Sequence, residues 1–123
     1  LLMGAGGAAR GVMLPLLQAK PQQIVIANRT VGRAQALVEQ FQRYGFVVAS
    51  TYAALNQPFD LIINATSASL GGDVPPLPSV VWQACTLAYD MMYANDLTPF
   101  LLSLKRLYII CRLLQDKRRL ITR

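Results

Sequence analysis

Apolar positions in this chain fall into short runs divided by turn-forming residues, and the runs alternate between a strand-like and a helix-like period. Leu1-Leu2-Met3 is an uninterrupted apolar run ending on a glycine turn, which predicts a buried strand cut at its start. From Ala8 to Ala19 an apolar stretch sets Val12, Leu16 and Ala19 on one helical face. Pro15 is expected to bend that helix, because its ring removes a backbone donor, and Lys20-Pro21 ends it. Ile24-Val25-Ile26-Ala27 is continuously apolar and largely β-branched, as suits a parallel strand covered on both faces. Val31 to Arg43 carries the clearest helical period, with Ala34, Leu37, Val38 and Phe41 on one stripe. Gly45 stands where a C-terminal cap is expected. Further strands are predicted over Phe46 to Ala49, over Leu61-Ile62-Ile63 after the turn at Asn56-Gln57-Pro58, and over Thr86 to Asp90. Gly71 to Pro78, with two glycines and three prolines, predicts a loop.

Strands alternating with helices at this spacing imply βαβ units and a parallel sheet. Right-handed crossovers then give an α/β fold, a Rossmann-like doubly wound parallel sheet in three layers. A chain of 123 residues that is 54% hydrophobic supports one packed domain and argues against disorder. No apolar stretch is long enough to span a bilayer, so no membrane association is expected. The apolar start has no basic segment before it and runs straight into the glycine turn, so it does not read as a signal peptide. Cys85 and Cys111 lack metal-ligand spacing and there is no histidine, which argues against a zinc site. Reduced thiols and a cytoplasmic location are expected.

The net charge of +6 changes the picture only at one end. Up to Leu104, five basic residues (Arg10, Lys20, Arg29, Arg33, Arg43) balance five acidic ones (Glu39, Asp60, Asp73, Asp90, Asp96). The remaining nineteen residues hold seven basic side chains against Asp116 alone. The excess describes the end of the chain rather than a basic face of the domain, so no nucleic-acid partner is expected.

Candidate chemistry begins at Gly4-Ala5-Gly6-Gly7-Ala8-Ala9, a Gly-x-Gly-x-x-Ala loop between strand and helix. In a dinucleotide fingerprint the first glycine permits a tight turn and the second lets a pyrophosphate approach the backbone. The third small residue lets the helix pack close to the sheet. The helix N-terminus offers N–H groups and a positive dipole end to the phosphates. At the end of the second strand an NAD-specific fold would carry a carboxylate for the ribose hydroxyls. This chain has Asn28-Arg29-Thr30 there instead, with Arg33 one turn further on. A planar, permanently charged guanidinium at Arg29 suits a 2′-phosphate, which makes NADP the expected cofactor. Asn28 or Thr30 can also cap the following helix.

Five segments together resemble the shikimate dehydrogenase family. They are the glycine loop through Arg10-Gly11-Val12, Asn28-Arg29-Thr30 with Arg33, Asn64-Ala65-Thr66-Ser67, Tyr89-Asp90-Met91-Met92-Tyr93, and Thr98-Pro99-Phe100. They occur in family order over residues 1–102, which corresponds to most of the family's NADP-binding domain. The resemblance implies NADPH-dependent reduction of 3-dehydroshikimate to shikimate. It implies pyrophosphate contacts from Gly4, Ala5, Gly6, Gly7 and Ala8, and 2′-phosphate contacts from Asn28, Arg29, Thr30 and Arg33. It puts Thr66 and Met91 beside the nicotinamide and makes Tyr93 a substrate contact.

The chain also departs from the family. Its catalytic lysine and aspartate lie on an N-terminal substrate domain that has no counterpart here, and Lys20 and Asp90 do not match them. No catalytic residue is therefore expected in this chain, and the chain alone is expected to be inactive. Ala68-Ser69 stands where the family usually has a glycine. Residues 103–123 form a basic, apolar tail without the family's closing Gly-Met and Gln-Ala pairs, as a truncated or frame-altered product would. Two other readings remain at this point. One is the NADP domain of a glutamyl-tRNA reductase, which shares the glycine loop and Asn-Arg-Thr. The other is a non-catalytic nucleotide-binding or interaction protein that docks through Arg112, Lys117, Arg118, Arg119 and Arg123.

Overall fold

A computed structural model describes residues 1–66, 75–92 and 98–105. Five strands form one sheet: β1 (Leu2–Met3), β2 (Ile24–Ala27), β3 (Val47–Ser50), β4 (Leu61–Asn64) and β5 (Leu87–Asp90). All neighbours are parallel, and the order is β3-β2-β1-β4-β5. The order turns at β1, so the chain winds outward first one way and then the other. That is the doubly wound topology expected of alternating elements. Helix α1 (Gly7–Gln18) follows β1, α2 (Val31–Phe41) follows β2, and α3 (Pro99–Lys105) follows β5.

Period-two alternation divides each central strand between two cores. Leu2, Ile24, Ile26 and Ile63 pack with Ala9, Met13 and Leu17 of α1 and with Leu37, Val38 and Phe41 of α2. Met3, Val25, Ala27 and Ile62 point to the opposite layer, where Leu55, Phe59, Val81, Phe100 and Leu101 cover them. All four residues of β2 are buried, because both faces are covered. The three-layer arrangement follows directly.

Helix α2 buries the stripe its sequence predicts, Ala34, Leu37, Val38 and Phe41. Helix α1 does not. Its buried residues are Ala9, Met13 and Leu17, while Val12 and Leu16 sit at the margin and Ala19 is exposed. The helix is apolar nearly all round, so spacing alone did not select a face and the sheet did. It continues unbroken through Pro15, which lies on the exposed side. Lys20 takes a left-handed φ of 54° and donates its N–H to the Leu17 carbonyl at 3.0 Å, closing the helix before Pro21.

The expected cap at Gly45 is corrected. Helix α2 ends at Phe41, and a 3-10 turn over Gln42–Tyr44 follows. Gly45 itself is extended, with φ 168°. A Cβ there would stand 2.8 Å from Cδ2 of Leu17, so the glycine serves close packing rather than a left-handed turn. Two strands begin one residue later than predicted. Phe46 is 61% exposed and precedes β3, and Thr86 precedes β5. Helix α3 crosses the expected domain boundary between residues 102 and 103. The tail beyond Lys105, including Cys111, lies outside the described residues. Cys85 is a free thiol. Among the described residues, no helix is long and apolar enough to cross a membrane.

Candidate functional site

The switch in strand order puts β1 beside β4, and the chain leaves both at the C-terminal edge of the sheet. Open α/β sheets bind ligands at this crevice. After β1, the Gly4 N–H donates to the Ala27 carbonyl at 2.8 Å, which ties the glycine turn to the end of β2. Gly4 has φ +105°, a conformation L side chains rarely adopt. A Cβ on it would also meet the Ala65 carbonyl oxygen at 3.0 Å. The first glycine is thus required by the turn and by the chain leaving β4. Gly6 and Gly7 are different: added Cβ atoms would meet nothing within 4 Å. Ala9, the third small position, is fully buried against the core.

A groove of about 760 Å³ opens over this turn. It is lined by Gly4, Ala5, Gly6, Gly7 and Ala8, by Asn28, Arg29, Thr30 and Arg33, and by Thr66, all nominated from the sequence. Both helix N-termini at the groove lack side-chain caps: Gly6 for α1 and Thr30 for α2. Neither has an acidic residue in its first turn. The anticipated capping by Asn28 or Thr30 is not made, since Asn28 donates its Nδ2–H to the Thr30 carbonyl at 2.9 Å. N–H groups and positive dipole ends therefore face the groove beside two arginines. Among the described residues, no carboxylate pairs with Arg29 or Arg33, and none lines the groove.

The fold adds Tyr52, Ala65, Pro75 and Met92 to the lining. Tyr52 comes from the loop after β3. Burial raises its phenol above the usual range, and the nearby Arg29 charge acts in the opposite direction. Its position after a parallel strand was the one sequence signal that could have nominated it. Met91 is half-buried and packs on the α1–α2 side of the core, while Met92 reaches the groove. Tyr93 lies outside the described residues.

Behind Thr66 runs a buried polar network. Asn64 is fully buried, and its Oδ1 accepts from the Thr66 hydroxyl at 2.7 Å and the Thr66 N–H at 3.2 Å. Its Nδ2 donates to Oδ1 of Asp90 at 3.3 Å. The same Asp90 oxygen accepts the Met92 N–H at 2.9 Å, and Asp90 Oδ2 accepts the Thr98 hydroxyl. Thr98 in turn accepts the Leu101 N–H at 3.3 Å, capping α3 directly before Pro99. The network ties the ends of β4 and β5 to α3 and to the groove.

A parallel sheet with this strand order and a glycine turn at its central crevice defines a Rossmann-like α/β protein. The family model of shikimate / quinate 5-dehydrogenase matches residues 1–71, and the chain belongs to that family. The match favours this family over the glutamyl-tRNA reductase reading. A shikimate dehydrogenase (NADP(+)) of Chromobacterium violaceum is 57% identical over 102 residues, 82% of this chain and 37% of the relative. One of Hahella chejuensis is 56% identical over 100 residues, 81% of this chain and 37% of the relative. The chain thus spans little more than a third of these relatives. The crystal structure of an Ael1 enzyme from Pseudomonas putida has a TM-score of 0.76 and 50% identity, over 85% of this chain and 38% of that one. A Mycobacterium tuberculosis shikimate dehydrogenase, at 17% identity and a TM-score of 0.61, shares the fold over 85% of this chain and 41% of its own.

Proposed function

We propose that this chain is the NADP-binding part of a shikimate dehydrogenase, an enzyme that reduces 3-dehydroshikimate to shikimate. The observation that carries the reading is a single groove joining the glycine turn to Arg29 and Arg33. Its features fit the cofactor. Gly6 and Gly7 leave open space where a Cβ would intrude, two uncapped helix ends supply N–H donors, and among the described residues the groove lining holds two arginines and no carboxylate.

In this reading the turn from Gly4 to Ala8 binds the pyrophosphate. Asn28, Arg29, Thr30 and Arg33 bind the 2′-phosphate. Thr66 and Met91 stand at the nicotinamide end, with Met92 reaching the groove beside them, and Tyr93 contacts the substrate. When bound, NADPH supplies the hydride for carbonyl reduction. No catalytic acid or base is assigned to this chain, and neither Lys20 nor Asp90 is recruited. In this reading the cofactor domain extends through α3 to Lys105, past the boundary expected at residue 102. The location is cytoplasmic, and the partners are small molecules rather than nucleic acid or membrane.

Calorimetric titration tests the reading. NADP is expected to bind more tightly than NAD, and Arg29→Ala to lower NADP affinity by roughly tenfold or more while leaving NAD unchanged, because a charge-assisted contact is lost. Equal affinity of the wild type for the two nucleotides overturns it.

A further inference from the structure

The hydrogen-bond network behind the groove fixes which of its groups donate and which accept. Asp90 is 4% exposed, and its three partners (the Asn64 amide, the Met92 N–H and the Thr98 hydroxyl) all donate to it. The Thr98 hydroxyl is already an acceptor for the Leu101 N–H, so its proton is directed at Asp90. At the other end, the backbone N–H of Thr66 can only donate, and it points at Asn64. Asn64 therefore has one allowed orientation. Its amino group faces Asp90 and its carbonyl faces Thr66. Turning it over would set acceptor against acceptor at Asp90 and donor against donor at Thr66.

The consequence falls on the Thr66 side chain. Its hydroxyl lies 2.7 Å from the Asn64 carbonyl oxygen, which can only accept. The Thr66 proton is committed there. Thr66 lines the groove, and what its oxygen has left for a ligand is lone pairs. We propose that Asn64, anchored by Asp90, is a positioning residue that makes Thr66 an obligate acceptor, selecting a ligand group that presents a hydrogen-bond donor over one that presents an acceptor. This rests on the NADP reading above and sharpens it: the group is the amino half of the nicotinamide carboxamide. Asn64 reaches the ligand only through Thr66, being fully buried itself.

Two nucleotide analogues separate the parts. Thionicotinamide-NADP keeps the amino group, and 3-acetylpyridine-NADP replaces it with a methyl. Calorimetric titration of the full chain is expected to give thionicotinamide-NADP an affinity close to that of NADP. The acetyl analogue is expected to bind roughly threefold to tenfold more weakly, the value of one hydrogen bond. Thr66→Val is expected to bring NADP down to the acetyl analogue and leave the acetyl analogue unchanged, and Thr66→Ser to restore the difference. Asn64→Leu is expected to narrow the same ratio, whereas a merely structural loss lowers all three affinities together. Thr66→Val leaves the buried Asn64–Asp90 pair in place, so the ratio is expected to be measurable there even if Asn64→Leu unfolds. Equal binding of NADP and the acetyl analogue by the wild type overturns the inference while leaving the NADP reading intact. So does a difference that survives in Thr66→Val. Failure of all three nucleotides to bind overturns both.

Discussion

The Cγ2 methyl of Thr66 stands 3.1 Å from the point a Cβ would occupy on Gly4. The two residues are far apart in sequence, and they meet because β1 and β4 are neighbours in the sheet. Gly4 is also at φ +105°. Gly4→Ala is therefore strained by backbone and by contact. A loss of about 1–3 kcal/mol is expected, read as a lower midpoint in urea unfolding. An unchanged midpoint would show that the turn can relax.

Gly6→Ala should behave differently. Its Cβ would meet nothing within 4 Å, and its φ of −92° suits any residue. Stability is expected to stay within about 0.5 kcal/mol of the wild type. NADP affinity is expected to fall at least about tenfold, because the methyl enters the space assigned to the pyrophosphate. Full binding by the variant in calorimetry would place the phosphates elsewhere.

Thr98 joins two structures with one oxygen. It donates to Asp90 and accepts from Leu101. Thr98→Val keeps the shape and removes both bonds, leaving a buried carboxylate oxygen and a helix N–H without their partner. A cost of about 1–3 kcal/mol is expected in thermal or urea unfolding. Thr98→Ser should recover most of it.

Lys20 is the one described non-glycine residue with positive φ, at 54°. It is exposed, so its side chain has little packing to lose. Lys20→Gly is expected to stabilise the protein by up to about 1 kcal/mol by removing the left-handed strain. A lower midpoint in the variant would mean that unfolded-state entropy outweighs that relief.

Much of the fold was legible because its signals are local. The stripe Ala34, Leu37, Val38 and Phe41 buries as its spacing predicts, because α2 has one apolar face and a polar remainder. The β-branched run of β2 is buried on both faces, as an all-apolar strand must be. The glycine loop and Arg29 were legible for the same reason: turn geometry and charge belong to the residues themselves.

Other features depend on neighbours that sequence distance conceals. Helix α1 offered several apolar faces, and only contact with the sheet chose Ala9, Met13 and Leu17. Gly45 looked like a cap until Leu17 proved to pack against it. Tyr52 and Met92 reach the groove because the strand order brings the loops after β3 and β5 to one edge. Asn64 and Asp90 are 26 positions apart and become partners through the β4–β5 register. By itself the sequence determined the strand and helix types, the glycine turn and the charge at the end of β2, since each depends on a few consecutive residues. Tertiary structure alone decided which helix face is buried and how Thr66 directs its proton, since both depend on groups that only the parallel sheet brings within hydrogen-bonding or packing distance.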